Sequence, residues 1–161
     1  MSGPDALPER DHGGMHPAPA PLPPVAMKIL IVEDEALVAL DLQECLERLG
    51  HEVVGIVRSL AEVRSLSDAD APEVALVDLH LGNGEFGPHI ARLVRERFGA
   101  TCLYVTGNAE TAMSHRDEAC GVLAKPVADS ALATAMGCLE RIRTGRPTGR
   151  PGGLILFEGV A

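Results

Sequence analysis

Aromatic side chains are nearly missing from this chain: tryptophan does not occur, and one tyrosine with three phenylalanines brings the aromatic share to 2%. With 46% of residues hydrophobic, a core must instead be built from Val, Leu, Ile and Ala, which suits a parallel sheet covered by helices on both faces. Clusters of Lys and Arg are also lacking, and the net charge of −9 argues against a nucleic-acid or anionic-membrane surface. A small cation fits that charge better as a guest. No CxxC pair occurs; Cys45, Cys102, Cys120 and Cys138 are scattered in apolar contexts. They read as buried free thiols in a reducing compartment rather than as a zinc site. No apolar run reaches membrane-spanning length and no signal peptide opens the chain, so a soluble, cytoplasmic protein is expected. At 161 residues the chain has room for one ordinary domain.

The ends differ from the middle. Residues 1–26 hold seven of the 12 prolines and read as a disordered or polyproline-like leader. Residues 144–161, opening "TGRPTGRPGG", read as a flexible Arg/Gly/Pro tail. Its apolar patch "LILF", Leu154 to Phe157, is expected either to pack back on the domain or to dock on a partner.

Between them, residues 27–143 alternate two periodicities. "KILIV" at 28, "EVVGIV" at 52, "EVALVD" at 73, "CLYVT" at 102 and "GVLAK" at 121 read as strands. Val38, Leu42, Cys45 and Leu49 keep helical spacing, with Gly50 at the expected C-terminal cap. Ile90, Leu93, Val94 and Phe98 do the same in a later helix, as do Leu132, Met136, Leu139 and Ile142 in the last. Strands alternating with helices over short connections give right-handed crossovers, and so a doubly wound α/β fold with one five-stranded parallel sheet.

Such sheets bind ligands beyond the C-terminal ends of their strands, and there the polar residues collect. The first strand ends in Glu33, Asp34 and Glu35, the third at Asp78, the fourth at Thr106 and the fifth at Lys125. Several carboxylates in one pocket repel one another and need a neutralising cation. Mg²⁺ fits best, because it takes a few carboxylates and leaves its other positions to water or phosphate oxygens. A carboxylate beside Mg²⁺, with a lysine and a hydroxyl in reach, is equipped to attack phosphorus and become an aspartyl phosphate. Asp78 is the expected nucleophile, with Lys125 and Thr106 as its helpers. Glu35 reads as a first-turn helix charge.

In order and in register, "ILIVEDE", "ALVDLHLG", "YVTG" and "AKP" resemble the receiver domain of two-component response regulators. The resemblance implies a flavodoxin-like sheet of order 2-1-3-4-5. It also implies that Asp78 takes phosphate from a histidine kinase or phosphotransfer protein, and that output runs through a downstream protein. Glu33 and Asp34 are similar to the acidic pair that holds Mg²⁺, and His80 stands where a backbone carbonyl completes the metal shell. Thr106 resembles the switch hydroxyl, Lys125 the phosphate-pairing lysine, and Pro126 the proline whose preceding bond is cis. One position departs from the pattern: Val122 stands where the family commonly carries Tyr or Phe, so sensing is expected to run through Thr106 and the segment "AETAMSHRDEA".

No effector domain is seen after residue 143, so a stand-alone receiver, relay or phosphate sink is expected rather than a turnover enzyme. The enzyme-class rival is a Mg²⁺-dependent aspartyl-phosphate phosphohydrolase, which usually carries a second acid where His80 stands. A flavodoxin-like cofactor binder would need a phosphate-cradling loop after the first strand, and "EDEAL" repels phosphate. "GNGEFG", residues 82–87, reads as a flexible turn over the acceptor, since no GK[ST] ending makes it a nucleotide loop. The histidines other than His80 are expected to be solvated.

Overall fold

Each apolar run forms a strand because it is hydrophobic on both faces. In the computed structural model, which describes residues 24–158, the strands are β1 (Lys28–Val32), β2 (Glu52–Val57), β3 (Val74–Val77), β4 (Thr101–Thr106) and β5 (Gly121–Ala124). Residues 1–23 of the proline-rich leader lie outside the described part of the chain. Five helices alternate with the strands: α1 (Ala36–Arg48), α2 (Leu60–Ser65), α3 (Gly87–Phe98), α4 (Ala109–Ser114) and α5 (Asp129–Arg143). β1 to β5 are mutually parallel in the order 2-1-3-4-5.

Side chains alternate across the sheet, so every strand feeds two cores. Ile29, Ile31, Leu76, Leu103 and Leu123 pack with Leu42, Leu46, Leu132, Met136 and Leu139 of α1 and α5. Leu30, Val32, Val77, Tyr104 and Val122 pack on the other face with Val63, Ile90, Val94 and Ala112 of α2, α3 and α4. Helix ends follow local chemistry. Ser59 and Asn108 accept from the backbone N–H groups of Glu62 and Thr111 at the starts of α2 and α4. Gly50 (φ 88°) and Gly99 (φ 66°) take the left-handed conformation that ends α1 and α3.

Two expectations change. The sheet has six strands, because Leu154–Leu156 of the tail forms β6, antiparallel to β5. The apolar patch therefore packs back on the domain: Leu154 and Phe157 are buried, and the edge of β5 gains a partner that satisfies its backbone groups. Gly121 makes this approach possible, since the nearest atoms to a Cβ there would be the Ile155 carbonyl and Leu156 Cα. The second change is His51, which is buried rather than solvated. Its Nδ1 accepts from the Met27 N–H at 3.3 Å, and burial holds its pKa below the ordinary imidazole value. His89 is exposed and His115 half-buried. All four cysteines are buried and free. Among the described residues no helix is long and apolar enough to cross a membrane.

Candidate functional site

Parallel strands carry their following residues to one edge of the sheet. The Asp78 N–H donates to the Val32 carbonyl (2.9 Å), the Glu33 N–H to the Val57 carbonyl (3.0 Å), and the Lys125 N–H to the Thr106 carbonyl (2.9 Å). The ladder thus continues one residue past β1, β3 and β5 and fixes three charged residues beside one another. Carboxylate oxygens of Glu33, Asp34 and Asp78 lie within 4.8 Å of one another. The Lys125 ammonium donates to Glu33 Oε2 at 2.5 Å and to Asp78 Oδ2 at 3.0 Å. Glu33, Asp78 and Thr106 are buried, whereas Asp34 is only half-buried at the rim.

Each group is held by a second contact. Glu33 Oε1 accepts the Glu35 N–H (3.1 Å) at the start of α1, so its two oxygens face a helix terminus and a lysine. Glu35 itself is exposed and directs no side chain into the cluster. Asp34 Oδ2 accepts the Gly82 N–H at 2.6 Å. Thr106 Oγ1 accepts the Asn108 N–H at 3.1 Å. His80 has an exposed side chain, and its N–H lies 3.4 Å from Asp78 Oδ1. The Lys125–Pro126 bond is cis.

Electrostatics follow from burial and pairing. Desolvation raises the Glu33 carboxyl above the ordinary value, against the opposing hydrogen bond from Lys125. Burial pushes Lys125 down, but hydrogen bonds to Glu33 and Asp78 more than offset it and leave its pKa raised. Three carboxylates against one ammonium leave two negative charges uncompensated. That remainder, with oxygen as the only donor type, is the chemistry of a hard divalent cation.

The loop that seemed merely flexible is part of the site. Its Gly82 N–H orients Asp34, and Gly87 packs so closely under the strand end that a Cβ would meet the Asp78 carbonyl and Leu79 Cα. The glycine-rich spelling "GNGEFG" marked a turn, but only the folded chain shows what the missing side chains make room for.

A family model of the response regulator receiver domain matches residues 29–137, more than half of the chain. The chain belongs to the response regulator receiver family. A curated relative, the phyllosphere-induced regulator PhyR of Methylorubrum extorquens, is 34% identical over 104 residues, covering 63% of this chain and 39% of that protein. Among solved structures, the response regulator PhyR from Brucella abortus superposes with a TM-score of 0.64 at 27% identity, over 75% of this chain and 51% of the other. The signal receiver domain of a modulated diguanylate cyclase from Desulfovibrio desulfuricans gives 0.59 at 30% identity, over 65% and 86%. The chain thus spans about two fifths of that curated relative's length and half of the Brucella structure's. The receiver fold is shared with both solved structures, and the family places the chain in two-component signalling.

Proposed function

We propose that this receiver takes a phosphoryl group from a histidine kinase or phosphotransfer protein onto Asp78 and signals by binding another protein. The observation that carries the reading is the bridge made by Lys125 between buried Glu33 and Asp78, at the strand ends where ligands of such sheets bind. In the transfer, a carboxylate oxygen of Asp78 forms a bond to phosphorus as the donor's phosphorus–nitrogen bond breaks, and the donor imidazole keeps the electron pair and gains a proton. Lys125 is placed to follow the oxygens of the incoming group because its ammonium already touches the acceptor. The Thr106 hydroxyl, whose oxygen accepts the Asn108 N–H, can donate its own proton to a phosphate oxygen.

The donor set fits Mg²⁺. Glu33, Asp34, Asp78 and the His80 carbonyl are the groups that would hold it. When bound, it supplies positive charge to the transferring phosphoryl group. The hydrogen bond from Lys125 opposes the upward push of burial on the Glu33 carboxyl, and the Gly82 N–H holds Asp34 Oδ2.

A phosphotransfer profile tests the reading. Purified histidine kinases from the source organism, labelled on their own histidines, are mixed with the protein and Mg²⁺, and one or a few should lose label to it within seconds. No transfer from any kinase, combined with sustained hydrolysis of generic phosphomonoesters, would favour the phosphohydrolase instead. Residues 1–26 are proposed to be dispensable for this transfer, because a proline-rich segment has little apolar surface to bury.

A further inference from the structure

With valine at position 122, the aromatic ring that packs against Tyr104 comes from outside the five-strand pattern. Phe157, directly after β6, is buried with its ring 6.4 Å from that of Tyr104. It shares a cluster with Val122, Ala112 and Ala119, and its N–H donates to the Cys120 carbonyl at 2.9 Å. β6 is also lightly held. It pairs with β5 at three positions only, Ile155 on it is 51% exposed, and the segment back to α5 contains Gly145 and Gly153 in the left-handed conformation. A three-residue edge strand, held by its pairing with β5 and by the buried Leu154 and Phe157, is easier to detach than a strand paired on both sides.

The same ring connects toward the acceptor. His80 pairs with Phe86 across the loop after β3. Phe86 meets the His115 ring edge-on at 4.8 Å, and the His115 carbonyl accepts the Tyr104 hydroxyl at 3.0 Å. The loop from Thr106 to Asn108 leads into α4, whose Ala112 belongs to the cluster around Phe157. Because the Thr106 oxygen accepts the Asn108 N–H at the start of α4, a shift of Thr106 toward a phosphoryl oxygen would pull on that helix and on the wall it gives to the cluster around Phe157.

We propose that the edge of β5 is a strand-accepting surface, filled in the resting protein by the chain's own Leu154–Phe157, and that phosphorylation of Asp78 releases this strand. The proposal rests on the reading of Asp78 as the acceptor. Pairing of an extended segment with an exposed sheet edge is a general mode of recognition, with alternate side chains filling pockets. Here Leu154 and Phe157 fill them, on opposite faces of the sheet. Gly121 is the gate, since the three nearest atoms to a Cβ there all belong to β6.

Two variants isolate the strand: Gly121→Ala, which blocks its approach, and a chain ended after Gly153, which removes it. Amide hydrogen exchange is measured on the full chain with Mg²⁺, with and without beryllofluoride as the phosphoryl mimic, and the affinity for the mimic is measured on all three proteins. The expected result is faster exchange at residues 154–157, by about fivefold or more, when the mimic is bound. Because coupling is reciprocal, both variants should bind the mimic more tightly than the unmodified chain by a similar factor. Bound mimic with unchanged exchange at residues 154–157, or with no gain of affinity in either variant, overturns the release of β6 and leaves Asp78 as acceptor. Failure of the unmodified chain to bind the mimic overturns the acceptor reading, and the release with it. Should Gly121→Ala fail to fold, the shortened chain still decides the question.

Discussion

Replacing Lys125 with methionine keeps most of the side chain's length and deletes the charge that bridges Glu33 and Asp78. The ammonium lies 2.5 Å from one carboxylate and 3.0 Å from the other, and its side chain is 18% exposed against 2% for Glu33. Removing one partner of a fully buried pair costs about 3–5 kcal/mol, mostly because the other charge stays buried without compensation. Partial exposure of the lysine lowers the expected loss to about 2–3 kcal/mol, or a fall of roughly 5–10 °C in Tm. The sign with pH is fixed by Glu33, whose carboxyl burial already raises. Without Lys125 it rises further, so the loss is largest where the carboxylates are ionised and shrinks on acidification as they take up protons. Mg²⁺ should stabilise the variant more than the unmodified protein, since three carboxylates without an ammonium attract it more strongly. Urea unfolding of both proteins, in chelator and in Mg²⁺, near neutrality and in mild acid, measures all three effects. Undiminished stability of Lys125→Met in chelator, or equal rescue of both proteins by Mg²⁺, would refute this electrostatic account.

Asp34→Ala should weaken Mg²⁺ binding by about tenfold or more, and Glu35→Ala far less, because Asp34 belongs to the cluster and Glu35 does not. Equal losses in metal titrations would contradict that map. Burial pushes the Cys102 and Cys120 thiols up to about 12 from an ordinary 9.0. Their contribution to stability is therefore complete below the ordinary value and is lost as pH rises toward about 12. In mild alkali, alkylation of these two should keep pace with global unfolding, and rapid labelling of the native protein would argue against their burial. Gly87→Ala should destabilise the fold by about 1–3 kcal/mol and slow phosphorylation together, as its Cβ would press on the Asp78 carbonyl. A variant with unchanged melting and unchanged labelling would show that the close packing there is dispensable.

The strands and long helices were legible because both periodicities are strong. Ile29 to Val32 are apolar at every position, and α1, α3 and α5 each carry a clear hydrophobic stripe. The strand-end positions of Glu33, Asp78, Thr106 and Lys125 followed from the same reading, since a parallel sheet sends every strand end to one rim. β6 was harder to see. "LILF" is a short unbroken apolar run with Gly152 and Gly153 before it, but its partner lies more than thirty residues upstream, and pairing across such a distance leaves no local signature. The burial of His51 is hidden from the sequence for a similar reason: the Met27 N–H that its Nδ1 accepts is brought near only when β1 and β2 pair. The contacts of Gly82, Gly87 and Gly121 are contacts of backbone with backbone or carboxylate, and a glycine's letter records the missing side chain without naming the neighbour it admits.

The most direct test of the account is intact-mass analysis after incubation with Mg²⁺ and acetyl phosphate. The protein should gain one acid-labile phosphoryl group, Asp78→Asn should gain none, and chelation of Mg²⁺ should abolish the gain in the unmodified chain. Undiminished labelling of Asp78→Asn would contradict the assignment of Asp78 as the acceptor.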